Sequence, residues 1–153
     1  MTNPTSPKPI DPSRSLVTSR LLDAPPARVF DAMIDPVRLA RWWGPKGFRN
    51  TFEVCEPRTG GAWRYTMHGP DGRDFRNESV FASVQPPSLL VVEHRSKPHY
   101  ELTVALAEEG GKTRLTWSQT FETAEVCEGM RPLVSEPNEQ NLDRLAEELR
   151  RTA

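Results

Sequence analysis

The stretch Ala62-Trp63-Arg64-Tyr65-Thr66-Met67-His68, followed by Gly69-Pro70-Asp71-Gly72 and then Asp74-Phe75-Arg76-Asn77-Glu78-Ser79-Val80-Phe81, reads as a β-hairpin and decides how the chain is taken. Successive side chains of a strand point to opposite faces, so Trp63, Tyr65 and Met67 share one side. Gly, Pro and Asp supply the dihedrals of the reversal. In the second run Phe75, Asn77 and Phe81 compete with Val80, Ala82 and Val84 for the inner side, and the first set is assigned there.

The same grammar extends outward. Strand-like segments at about 48–56, 61–68, 74–84, 88–95, 99–108 and 112–121 are separated by Arg58-Thr59-Gly60-Gly61, Gly69-Pro70-Asp71-Gly72, Pro86-Pro87, Lys97-Pro98 and Glu109-Gly110-Gly111. Connections this short imply antiparallel neighbours. The inner sets are then Leu90, Val92 and His94; Tyr100, Leu102, Val104 and Leu106; and Leu115, Trp117, Gln119 and Phe121. Upstream, Ser15 to Leu22 is β-compatible and Asp23-Ala24-Pro25-Pro26 stops it. Pro26 suits a helix first turn, and Val29, Phe30, Met33 and Ile34 follow with amphipathic spacing. Asp35 caps a second short helix carrying Leu39, Trp42 and Trp43, which Gly44-Pro45 ends.

Downstream, Glu122 to Val134 is expected to hold an irregular helical stretch, and a regular helix is expected from Pro137. Its stripe is Leu142, Leu145, Ala146 and Leu149, and its other face carries Asp143, Arg144, Glu147, Glu148 and Arg150. The order of elements is an α+β layout: a curved seven-stranded antiparallel sheet, two short helices between strands 1 and 2, and a long terminal helix to cover the apolar face. Residues 1–13, with Pro4, Pro7, Pro9 and Pro12, read as an extended tail, leaving 14–153 as a single domain.

Composition narrows the function. The chain has 153 residues, 36% hydrophobic and 27% charged, with a formal net charge of −1 and dispersed signs, so no basic footprint for nucleic acid is present. No apolar run is long enough to span a membrane and no secretory signal opens the chain, so a cytoplasmic setting is expected. Cys55 and Cys127 are not in CxxC spacing and read as packing thiols. Phosphate-loop, dinucleotide, zinc-hydrolase and serine-hydrolase motifs are absent. Parity turns His68 and His99 outward with Glu78, Glu93 and Glu101, and leaves His94 alone facing in. No metal site, no cofactor and no catalytic set are therefore assigned.

The inward residues mix bulk with a few polar groups, as a small-molecule pocket requires. The candidate ligand-binding cavity comprises Trp63, Tyr65, Met67, Phe75, Asn77, Phe81, Val92, His94, Tyr100, Leu102, Trp117, Gln119 and Phe121 from the sheet, with Leu142, Leu145 and Leu149 from the helix. The competing expectation is a solid core, which large side chains between sheet and helix form equally well.

Three further segments carry a resemblance: Ala40-Arg41-Trp42-Trp43-Gly44-Pro45-Lys46-Gly47-Phe48, Gly60-Gly61-Ala62-Trp63-Arg64-Tyr65 and Met67-His68-Gly69-Pro70-Asp71-Gly72. With Ala24-Pro25-Pro26-Ala27-Arg28-Val29-Phe30, Gly110-Gly111-Lys112-Thr113-Arg114-Leu115-Thr116 and Asn141-Leu142-Asp143-Arg144-Leu145-Ala146, they resemble the activator of heat-shock-protein-90 ATPase homologue-like family. That family is part of the START-related (SRPBCC, Bet v-like) superfamily, which also includes polyketide cyclases and plant allergen-type carriers. The resemblance spans about Ser15 to Leu149 and implies a helix-grip fold, with Trp42, Trp43 and Gly44 as fold-defining residues. It departs locally at Ser135-Glu136-Pro137-Asn138-Glu139, where Pro137 is expected to rigidify the entry to the last helix. The function expected is binding of a small apolar or amphipathic molecule. The alternatives are a cyclase or dehydratase using His94 with Tyr65 or Tyr100, and a protein-interaction domain acting on a chaperone. Exposed strand edges leave a weak homodimer open.

Overall fold

The computed structural model describes residues 9–152. Its strands are β1 (Ser15–Leu22), β2 (Arg49–Cys55), β3 (Ala62–His68), β4 (Asp74–Gln85), β5 (Leu89–His94), β6 (Tyr100–Glu109) and β7 (Lys112–Phe121). They form one sheet in the order β1-β7-β6-β5-β4-β3-β2, antiparallel throughout. Helices α1 (Pro26–Ile34) and α2 (Pro36–Trp42) lie between β1 and β2, and α3 (Ala124–Arg151) closes the chain. The curved sheet wrapped around a long C-terminal helix is the helix-grip fold.

Register lines up the inner face. Trp63 sits opposite Ser79, Ser79 opposite His94, His94 opposite Tyr100 and Tyr100 opposite Phe121. The competition within β4 is resolved by a bulge between Phe81 and Ser83. An extra residue there resets the alternation, so Phe81 is fully buried while Val84, beyond the bulge, also packs on the core.

Two parts of the chain differ from the expectation. Of the stretch read as a tail, residues 1–8 lie outside the described residues, and Pro12–Arg14 form a 3₁₀ turn whose Asp11 carboxylate accepts from Ser13 N. The terminal helix is one continuous element beginning at Ala124, capped by the Thr123 side chain, with Pro132 and Pro137 inside it. Each proline removes one bond, to the carbonyl four residues back. Those carbonyls belong to Glu128 and Leu133, both exposed, where water can serve them.

The back of α3 is not a solvated face. The α1–α2 pair packs along its C-terminal half, so Glu148 is 1% exposed and meets Arg41 at 2.7 Å, Arg151 at 3.1 Å and Arg38 at 3.4 Å. Arg144 reaches into the connection between α2 and β2. Its Nη1 donates to the carbonyls of Trp43, Gly44 and Pro45 at 2.9–3.0 Å, and its Nη2 to those of Arg41 and Phe48 at 2.8 and 3.0 Å. Trp42 ties α2 to α1 through Nε1 donating to the Ala32 carbonyl at 2.8 Å. Gly44 turns the chain out of α2 with φ +95°, a left-handed value that favours glycine.

Candidate functional site

A cavity of about 600 Å³ lies between the sheet and the N-terminal half of α3. From the sheet it receives Tyr65, Met67, Phe75, Asn77, His94, Tyr100, Leu102, Trp117 and Gln119, all of them residues that alternation had turned inward. The other members of that set are placed elsewhere. Trp63, Phe81, Val92, Leu142, Leu145 and Leu149 are buried in the main core, and Phe121 packs with Leu16 and Cys127 in a smaller cluster. Core packing thus takes the C-terminal half of the helix, and the cavity takes the rest.

The roof was not foreseen. Met130, Val134, Pro137, Asn138 and Asn141 line the cavity from α3. Their spacing continues the Leu142–Leu145–Leu149 stripe toward the N-terminus, which is the signal that would have found them once the helix is allowed to run through its prolines. Trp43, Gly44, Pro45 and Phe48 add a side wall from the connection that Arg144 holds. Trp43 is read correctly as structural, packing at 4.9 Å from Trp63 and 5.9 Å from Trp117, but it also faces this space.

Polar groups on the wall are tied to one another. Asn138 Nδ2 donates to Gln119 Oε1 at 3.1 Å, joining roof to floor, and Asn141 Nδ2 donates to the Trp42 carbonyl at 2.9 Å. His94 is 3% exposed and stacks on Tyr100 with ring centres 4.5 Å apart. Its Nδ1 lies 2.8 Å from the Pro98 carbonyl and its Nε2 2.6 Å from Asn77 Oδ1. Burial pushes the His94 ring toward its neutral form, and pushes the Tyr65 and Tyr100 phenols far above their ordinary range, so neither phenol ionises near neutral pH. Phe75, 44% exposed, stands at the mouth against Phe48, with Arg76, Lys97 and Asp74 around it.

The remaining histidines face the other way, as parity requires. His68 bridges Thr51 at 2.7 Å and Asp74 at 2.8 Å, and His99 pairs with Glu93 at 3.5 Å. Among the described residues no group of three or more His, Cys, Asp or Glu side chains is placed to hold a metal ion. No described helix is long and apolar enough to cross a membrane.

The family model for "Activator of Hsp90 ATPase homolog 1-like protein" matches residues 23–150. The chain belongs to this family. The fold agrees with its place in the SRPBCC superfamily, a setting for ligand-binding and co-chaperone-like proteins. Among solved structures, a protein from Nitrosomonas europaea is similar at 22% identity and TM-score 0.85, covering 94% of this chain and 98% of that one. One from Arthrobacter aurescens is 28% identical with TM-score 0.82, covering 91% of this chain and 87% of that one. One from Mycobacterium smegmatis is 24% identical with TM-score 0.82, covering 98% and 100%. No curated protein matches the chain.

Proposed function

We propose that this member of the activator of Hsp90 ATPase homolog 1-like family holds a small hydrophobic or amphipathic molecule in the cavity between its sheet and α3. The observation that carries this reading is the cavity itself. Protein interiors are packed to the density of organic crystals, and voids larger than a water molecule are few. A space of about 600 Å³ walled by Trp43, Tyr65, Tyr100 and Trp117 is instead of the size that ligand sites have. Apolar walls supply affinity through burial, and the Asn77–His94 and Gln119–Asn138 pairs supply orientation. No pair of wall residues forms an acid and base poised for proton transfer, so binding is favoured over turnover. A reducing compartment such as the cytoplasm fits the two free thiols, Cys55 and Cys127.

N-phenyl-1-naphthylamine, followed by its own fluorescence and by thermal unfolding, tests the reading. A guest at 100 times its Kd stabilises the folded state by about 2.7 kcal/mol. Binding should quench emission from Trp43 and Trp117, and Val134→Trp, which fills the space from the half-buried roof, should abolish it. A flat response from wild type to this probe and to a panel of other apolar compounds would refute the proposal.

A further inference from the structure

The hydrogen bonds of His94 do not balance for a neutral ring. Its Nδ1 faces the Pro98 carbonyl, which only accepts, so an N–H belongs there. Its Nε2 faces Asn77 Oδ1, which also accepts, while Asn77 Nδ2 donates to the Phe75 carbonyl at 3.0 Å. A neutral imidazole has one N–H, so either tautomer leaves a ring lone pair against an oxygen. Turning the Asn77 amide over moves the mismatch to the Phe75 carbonyl and does not remove it. Ser96 Oγ, 3.3 Å from Nε2, is a hydroxyl that can take either role and decides nothing. The imidazolium alone satisfies Pro98, Asn77 and Phe75 together, so the contacts call for a second proton while burial, with no opposite charge beside the ring among the described residues, favours the neutral form.

A buried cation needs an opposite charge. The charged residues that line the cavity are Asp74, Arg76 and Lys97. Asp74, the acid among them, is engaged by His68 at 2.8 Å. Arg76 alternates with Phe75 and Asn77 and turns to the outer face of the sheet beside Glu53 and Glu78, whereas Lys97, in the same turn as Pro98, stands at the mouth and makes no ion pair among the described residues. One unpaired cation, Lys97, and a ring whose contacts call for a proton therefore converge on one end of a cavity whose other walls are aromatic. The missing partner is negative and enters with the guest.

We propose that the guest is an organic anion, with its negative group at the His94–Lys97 end and its apolar body against Trp43, Tyr65 and Trp117. The inference rests on the carrier reading and goes beyond it by naming the class of ligand. Charge-assisted contacts at a partly desolvated site are stronger than neutral ones, so a matched pair differing in one anionic group should separate clearly.

The matched pair is 8-anilinonaphthalene-1-sulfonate, a permanent anion, and N-phenyl-1-naphthylamine, the same body without the sulfonate. The sulfonate should bind at least about tenfold tighter. Lys97→Met, at an exposed position, should narrow that gap while leaving the neutral probe within about twofold of wild type, and His94→Gln should narrow it too. Equal affinity for the two probes, or a gap that persists in both variants, overturns the anion inference and leaves the carrier reading standing. Failure of both probes to bind overturns the carrier reading, and the inference with it.

Discussion

Arg144 is the most informative single residue to change. The four N–H groups on its two terminal nitrogens serve five backbone carbonyls, that of Arg41 in the last turn of α2 and those of Trp43, Gly44, Pro45 and Phe48 on the connection from α2 to β2. Arg144→Met keeps much of the stem and removes every donor. Each lost bond is worth about 1 kcal/mol net, more where the donor is charged, but carbonyls on a half-exposed connection recover water. The balance is a loss of about 3 kcal/mol, which for a domain of this size corresponds to a melting temperature lower by about 6–12 °C. Arg144→Lys keeps the charge but has three donors on one nitrogen, and should lose roughly half as much. Urea unfolding measures the change as a shift in midpoint at constant slope. Because Gly44, Pro45 and Phe48 also wall the cavity, N-phenyl-1-naphthylamine should bind the Met variant more weakly. A midpoint shift equivalent to less than about 0.5 kcal/mol would show that the connection holds its shape without this residue.

Three further outcomes are expected. Arg41, first, and then Arg38 and Arg151 hold the Glu148 carboxylate below its ordinary range. Its stabilising contribution is therefore complete above the ordinary carboxylate pKa and is lost as pH falls through the depressed folded value; Glu148→Gln should flatten the acid limb of stability against pH, and an unchanged limb would remove Glu148 from that role. Burial pushes the Cys55 thiol up to about 11, and Cys127 is fully buried, so a thiol reagent at pH 8 should react slowly with the native protein and fast after unfolding; rapid native labelling would contradict this placement. At Gly61 a Cβ would lie 1.9 Å from the Glu56 carbonyl oxygen, so Gly61→Ala should destabilise by about 2 kcal/mol or more, and a neutral effect by denaturation would mean the turn moves aside freely.

The sheet was legible because one inner face imposes alternation, and a slip of one residue would reverse every side chain. That is why Tyr65, Asn77, His94, Trp117 and Gln119 could be turned to the inner face from spacing alone. The helix was less legible for two physical reasons. A proline inside a helical pattern reads as a stop, yet Pro132 and Pro137 sit where the residues whose carbonyls they orphan, Glu128 and Leu133, are exposed. Charged residues opposite an apolar stripe read as solvated, yet Arg144 and Glu148 face a second layer, the α1–α2 pair, which a stripe of hydrophobic residues does not reveal. Nor could parity separate core from cavity. Trp63 and Tyr65 point the same way, and only the three-dimensional placement of α3 leaves one covered and the other beside open space.

The continuous α3 divides its labour at about Asn141. Beyond that point its leucines root the fold, and before it Met130, Val134, Pro137 and Asn138 line the hollow, Met130 and Val134 packing also against the Leu16–Phe121–Cys127 cluster. Apart from Cys127, which is fully buried against Leu16 and Phe121, exchanges along the first four turns should therefore reshape the hollow at less cost in folding than exchanges among the leucines of the last three. If the proposed guest is held there, its fit can be retuned by rewriting a single short segment of chain.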